Sequence, residues 1–78
     1  MITSCVFEMT EETGHIERKA TYSLTPKEAL RNYIMQVVFK DVHWWNYPEI
    51  IQGMRESEHG WFWDYIEQGK VIAAYEMG

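Results

Sequence analysis

The strongest local signal in this sequence is a helix start, Thr25-Pro26-Lys27-Glu28. Thr25 suits an N-cap, Pro26 the first helical position, and Glu28 stands three residues after the cap, as a capping box requires. Behind it Ala29, Leu30, Tyr33, Ile34, Val37 and Val38 recur on one stripe, with Lys27, Arg31, Asn32, Gln36 and Lys40 opposite. The spacing predicts one helix from about Pro26 to Phe39. In a chain of 78 residues, one helix of that length can cover only one face of whatever sheet the rest forms.

The remaining periodicity is that of strands. Residues 2–9 read as a strand with Ile2 and Val6 on one side and Cys5, Phe7 and Met9 on the other. Thr10-Glu11-Glu12-Thr13-Gly14 is a turn, and Ile16, Ala20, Tyr22 and Leu24 then share a face, interrupted at Arg18, to give a second strand of a hairpin. Residues 41–60 lose this pattern. Asn46-Tyr47-Pro48 is turn-like, and Arg55-Glu56-Ser57-Glu58-His59-Gly60 reads as a polar loop. Residues 61–66 and 71–76 read as strands joined by a tight turn at Glu67-Gln68-Gly69-Lys70. The expected architecture is a single α+β domain over residues 1–78: a four-stranded antiparallel sheet with one helix on one face, in the order ββα, irregular segment, ββ. The second sheet face must be closed by the irregular segment, a second subunit or a partner.

Composition excludes several classes of function. No run of about 18 apolar residues exists, so no membrane-spanning helix is expected. The single Cys5 forms no internal disulfide, and the opening residues lack the basic region and apolar core of a signal peptide; both predict a cytoplasmic location. Asp41, His43, Glu58, His59, His15 and Cys5 match no metal-ligand spacing, and the histidines read as loop residues. Glu11-Glu12 and Glu56 with Glu58 are carboxylate pairs without the apolar surroundings that raise a carboxylate to a working pKa. Cys5 reads as a small apolar filler, and isolated glycines make no phosphate-binding loop. No catalytic, cofactor-binding or metal residue is therefore expected, and the chain reads as a non-enzyme.

What remains is aromatic. Four tryptophans and five tyrosines are present, and every tryptophan lies beyond residue 43. Trp44, Trp45 and Tyr47 crowd the irregular segment, while Trp61, Trp63 and Tyr65 alternate along one strand face. The net charge of −5 is divided unevenly. Residues 1–40 hold five acids (Glu8, Glu11, Glu12, Glu17, Glu28) and five bases (Arg18, Lys19, Lys27, Arg31, Lys40). Residues 41–78 hold seven acids (Asp41, Glu49, Glu56, Glu58, Asp64, Glu67, Glu76) and only Arg55 and Lys70. Phosphate would be repelled there, which argues against direct nucleic-acid contact. Rings beside acids suit a basic protein partner, because opposite potentials steer encounter and desolvated rings hold the complex. The candidate partner-binding residues are Trp44, Trp45, Tyr47, Glu56, Glu58, Trp61, Trp63 and Asp64. The same rings can instead form core, or a homodimer through the open sheet face or the Trp61 edge. A small regulator touching nucleic acid through Lys19, Lys27, Arg31 and Lys40 is a further alternative.

The segments Lys19-Ala-Thr-Tyr-Ser-Leu-Thr-Pro-Lys-Glu-Ala-Leu-Arg-Asn-Tyr-Ile-Met-Gln36 and Val71-Ile-Ala-Ala-Tyr75 resemble small uncharacterised proteins of phages and conjugative elements of Gram-positive bacteria. The resemblance covers about half of the chain. It implies a neighbourhood in which small acidic inhibitors of restriction and CRISPR complexes occur, some acting as DNA mimics. The sharpest expectation is thus an inhibitor of a nucleic-acid-targeting complex.

Overall fold

The computed structural model describes residues 2–40 and 52–77. Strands β1 (Ser4–Thr10) and β2 (Ile16–Tyr22) precede the helix α1 (Pro26–Tyr33), which runs on into a π-helical turn over Ile34–Val38. Strands β3 (Met54–Ser57) and β4 (Gly60–Tyr65), a short 3-10 turn over Ile66–Gln68 and β5 (Lys70–Glu76) complete the described elements. The sheet order is β2-β1-β5-β4-β3, with every neighbouring pair antiparallel. Among the described residues the protein is α+β, with α1 against a sheet of five strands where the sequence predicted four.

The additional strand is β3, inside the irregular segment and overlapping the stretch 55–60 read as a polar loop. Met54 is its one buried residue, set opposite Trp63, while Arg55 and Glu56 are exposed. An edge strand needs little apolar surface, and charges on it discourage further pairing. That polarity is what disguised it as loop. Ser57 pairs with Gly60, so Glu58 and His59 form a two-residue hairpin turn. Gly60 is obligatory beside it, because a Cβ there would lie 2.0 Å from the Ala74 carbonyl oxygen.

The first hairpin turns where expected, with Gly14 at φ +72° and its N–H bonded to the Thr10 carbonyl at 2.7 Å. Its second strand departs from the expected alternation. Val6 pairs with Ala20 but Phe7 pairs with Arg18, so Lys19 is the extra residue of a bulge. Ala20 and Tyr22 consequently face the helix, whereas Ile16 and Arg18 face the opposite side. The interruption at Arg18 in the sequence is the trace of this bulge.

Thr25 caps α1 through two contacts with Glu28: its hydroxyl accepts from the Glu28 N–H at 3.4 Å and donates to Glu28 Oε1 at 2.8 Å. The helix drops Ala29, Leu30, Tyr33 and Ile34 onto the sheet, where they meet Val6, Met54, Ile72 and Ala74 in a single core. Beyond Tyr33 the winding loosens. The Phe39 N–H reaches back five residues to the Ile34 carbonyl at 2.9 Å, and Val37, expected on the apolar stripe, is 45% exposed.

Candidate functional site: the uncovered sheet face

Cross-strand partners share a face, so register assigns every strand residue to one side of the sheet. Toward the helix point Ala20, Val6, Ala74, Trp61 and Glu56 in one row, and Glu17, Glu8, Ile72, Trp63 and Met54 in the next. Away from it point Arg18, Phe7, Ala73, Phe62 and Arg55 in a central row. On one side of that row stand Ile16, Met9, Val71 and Asp64, and on the other Thr21, Cys5, Tyr75 and Gly60.

The two faces meet different surroundings. On the helix side Trp61, Trp63 and Tyr65 are half-buried against the core. Trp63 and Tyr65 lie 5.0 Å apart between ring centroids, and Phe39 stands 5.7 Å from each. Lys27 places its ammonium 4.9 Å from the centre of the Trp61 ring, a cation–π contact that joins the helix start to β4.

One polar group is set into this layer. The Tyr33 hydroxyl donates to Glu8 Oε2 at 2.5 Å, and the Lys70 ammonium meets Glu8 Oε1 at 3.1 Å. Burial alone would raise the Glu8 pKa, but the Tyr33 and Lys70 hydrogen bonds and the charges of Lys70 and Lys19 outweigh it and hold the carboxyl below its ordinary value. Tyr33 is pushed well above the usual phenol range, first by burial and then by its bond to the Glu8 carboxylate. Each member has a partner, so the cluster fastens helix to sheet and presents no idle acid or base.

The opposite face is apolar and, among the described residues, uncovered. Phe7, Met9, Ile16, Val71, Ala73, Tyr75 and Met77 line a shallow groove of about 360 Å³. Phe7 and Tyr75 form one wall, with ring centroids 6.0 Å apart. Ile16 is 58% and Met77 55% exposed, whereas Ala73 in the floor is only 8% exposed. Cys5 is buried at the groove's end, its Sγ 3.6 Å from Thr21 Oγ1.

The candidate partner-binding residues are distributed as follows. Trp44, Trp45 and Tyr47 lie outside the described residues. Trp61, Trp63 and Glu56 face the helix side, Glu58 is in the β3–β4 turn, and Asp64 faces the uncovered side. Sequence reasoning did not single out the groove residues. Their signal was parity: Cys5-Phe7-Met9 and Val71-Ala73-Tyr75 alternate away from the residues that meet the helix. Among the described residues no three His, Cys, Asp or Glu side chains converge as a metal site, and Asp41 and His43 lie outside them. No helix among them is long and apolar enough to cross a membrane.

Fold and face together define the class: among the described residues, an α+β domain whose five-stranded antiparallel sheet packs α1 on one side and is apolar on the other. Compared with known proteins, the chain matches no family model, no curated protein and no solved structure.

Proposed function

We propose that the protein is a non-enzymatic protein-binding module whose interface is the uncovered face of the sheet. The observation that carries this reading is the groove lined by Phe7, Met9, Ile16, Val71, Ala73, Tyr75 and Met77. A contiguous apolar patch rimmed by polar residues marks an interaction site more often than a surface left to water. Both terminal strands support a face over an edge as the docking element. Strand β2 is bulged and carries Glu17, Arg18 and Lys19, and β3 is four residues long with Arg55 and Glu56. These are devices that block strand addition.

A narrower form of the proposal is an inhibitor of a nucleic-acid-targeting complex, supported by the net charge of −5. Its acids do not lie on one side, since Asp64 faces away from Glu56, so the sheet face and not an acidic patch supplies the adhesive part. The test is affinity capture with wild-type chain and with Ala73→Arg, both shown to fold by circular dichroism. A partner retained by wild type and lost with Ala73→Arg is the expected result. Retention unchanged by the arginine would overturn the reading.

A further inference from the structure

The central row of the uncovered face reads Arg18, Phe7, Ala73, Phe62, Arg55 from one edge of the sheet to the other. It is an apolar strip with a cation at each end, in a chain whose net charge is −5. Four strand spacings of about 4.8 Å put the two arginine backbones roughly 19 Å apart. Their long side chains can lean inward over apolar surface, which leaves between them a trough about as wide as the 10–12 Å diameter of a helix. The floor is small at the centre. Ala73 stands to this face as Ala74 stands to the other, and Ala74, fully buried, is where α1 packs against the sheet.

We infer that this trough seats an amphipathic helix of a partner protein whose apolar stripe is bordered by Asp and Glu. The inference rests on the protein-binding reading above and specifies the partner. Strands β1 and β5 each have seven residues, or about 23 Å of groove, which matches a helix of about 15 residues. The apolar stripe fills the groove over Val71, Ala73 and Tyr75, and the bordering carboxylates meet Arg18 and Arg55. Asp64 is the one acid placed on this face by register. It lies on the Arg55 flank, so the Arg18 flank dominates the preference for acid.

A second copy of this chain is a poorer occupant for a geometric reason. A two-fold axis between facing sheets, centred on the row and running along the strands, sets Arg18 over the partner copy's Arg55; one running across them sets Arg18 over its own equivalent. Either way cations oppose cations. An anionic membrane is disfavoured because a flat lipid surface extends beyond the trough and meets the rest of a protein of net −5, whereas a helix meets only the strip between Arg18 and Arg55.

The test uses the full chain and two fluorescein-labelled 16-residue helical peptides with the same leucine stripe, one bordered by Glu and the other by Lys. Fluorescence anisotropy at low salt is expected to show the Glu-bordered peptide binding at least tenfold more tightly, with the contrast shrinking in 0.5 M salt as screening predicts. Arg18→Glu is expected to level or reverse the preference, and Arg55→Glu to reduce it by less. Ala73→Arg, or Met77→Glu if the first variant fails to fold, is expected to abolish binding of both peptides. Equal binding of the two peptides, lost with Ala73→Arg, overturns the acidic helix while leaving the protein-binding face standing. No binding of either, with partner capture unaffected by Ala73→Arg, overturns both. Self-association in light scattering that Ala73→Arg abolishes would assign the face to a second copy. Co-sedimentation with phosphatidylglycerol vesicles but not with either peptide would assign it to a membrane.

Discussion

Ile72 and Val71 are neighbours on the same strand, and they belong to two different proteins in an energetic sense. Ile72 is 1% exposed beneath the helix, within a core that includes Leu30 and Ile34. Val71 faces the groove, where the described residues supply walls but no roof. Both faces are apolar, yet among the described residues one is closed by the helix and the other is left uncovered. A small domain has few large side chains to spend on stability, since it buries only about 60% of its unfolded surface. The proposed binding surface rests on a second apolar row that the described residues leave open, and that contrast can be put to direct test.

The largest effect should come from the closed face. Ile72→Ala is expected to cost about 2–5 kcal/mol, combining lost transfer energy with a cavity that α1 cannot collapse into. Val71→Ala should cost less than about 1 kcal/mol, because a half-exposed side chain leaves no sealed cavity. Urea denaturation midpoints read both. Equal costs would mean the groove is roofed in the folded protein, and the difference between the faces would disappear.

Gly60→Ala follows, with about 1–3 kcal/mol of destabilisation as the price of overpacking. The added Cβ would fall 2.0 Å from the Ala74 carbonyl oxygen and 3.0 Å from the Tyr75 ring. It must therefore push β4 from β5. Because Ala74 and Tyr75 look to opposite faces, this variant should disturb both layers, visible as shifted amide resonances on each.

How much of this was legible beforehand depended on how many neighbours each residue needed to define its state. The helix start needed none beyond itself, and Thr25 and Glu28 do bond to each other. The turns at Gly14 and Gly69 were equally local, both at positive φ. The alternation of Trp61, Trp63 and Tyr65 was readable too, but not which face they took. That depends on pairing of β4 with β5 and on where α1 lands. Strand β3 was hidden because an edge strand held by Met54 alone has no apolar period to detect. The bulge at Lys19 reversed the side of Ile16, and so moved it from the face of Ala20 and Tyr22 to the groove wall. The binding residues were sought among rings and acids close in sequence, whereas the groove is assembled from β1, β2 and β5, strands brought together only by the fold.

The Tyr33–Glu8–Lys70 cluster offers an effect of similar size confined to the closed face. Tyr33→Phe should cost about 1.5–3 kcal/mol at neutral pH, the range for a hydrogen bond to a charged group. Its pH dependence has a defined sign. Glu8 titrates lower when folded than when unfolded, so its contribution is complete above its ordinary value of 4.5 and is lost as pH falls through the folded value. Tyr33 titrates higher when folded, so stability also falls as pH rises above 10. Tyr33→Phe removes the Tyr33 share of the alkaline arm, leaving the share that burial of Tyr22 supplies, and shallows the acid one. A wild-type profile flat from pH 3 to 11 would show that the cluster does not fasten the helix.

The smallest expected effect lies at the contact between Lys27 and Trp61. Lys27 is exposed, so replacing it by Met, which keeps the alkyl stem, should cost only about 0.5–1 kcal/mol. The value of the variant is its selectivity. Trp61 looks toward the helix, and Arg18 and Arg55 lie on the other side of the sheet. Lys27→Met should therefore alter tryptophan fluorescence while leaving the affinity for a Glu-bordered helix within twofold of wild type. If it weakened that peptide as much as Arg18→Glu does, the acidic partner would be reading the positive charge of the helix, and the aromatic layer around Trp61 would replace the groove as the docking surface.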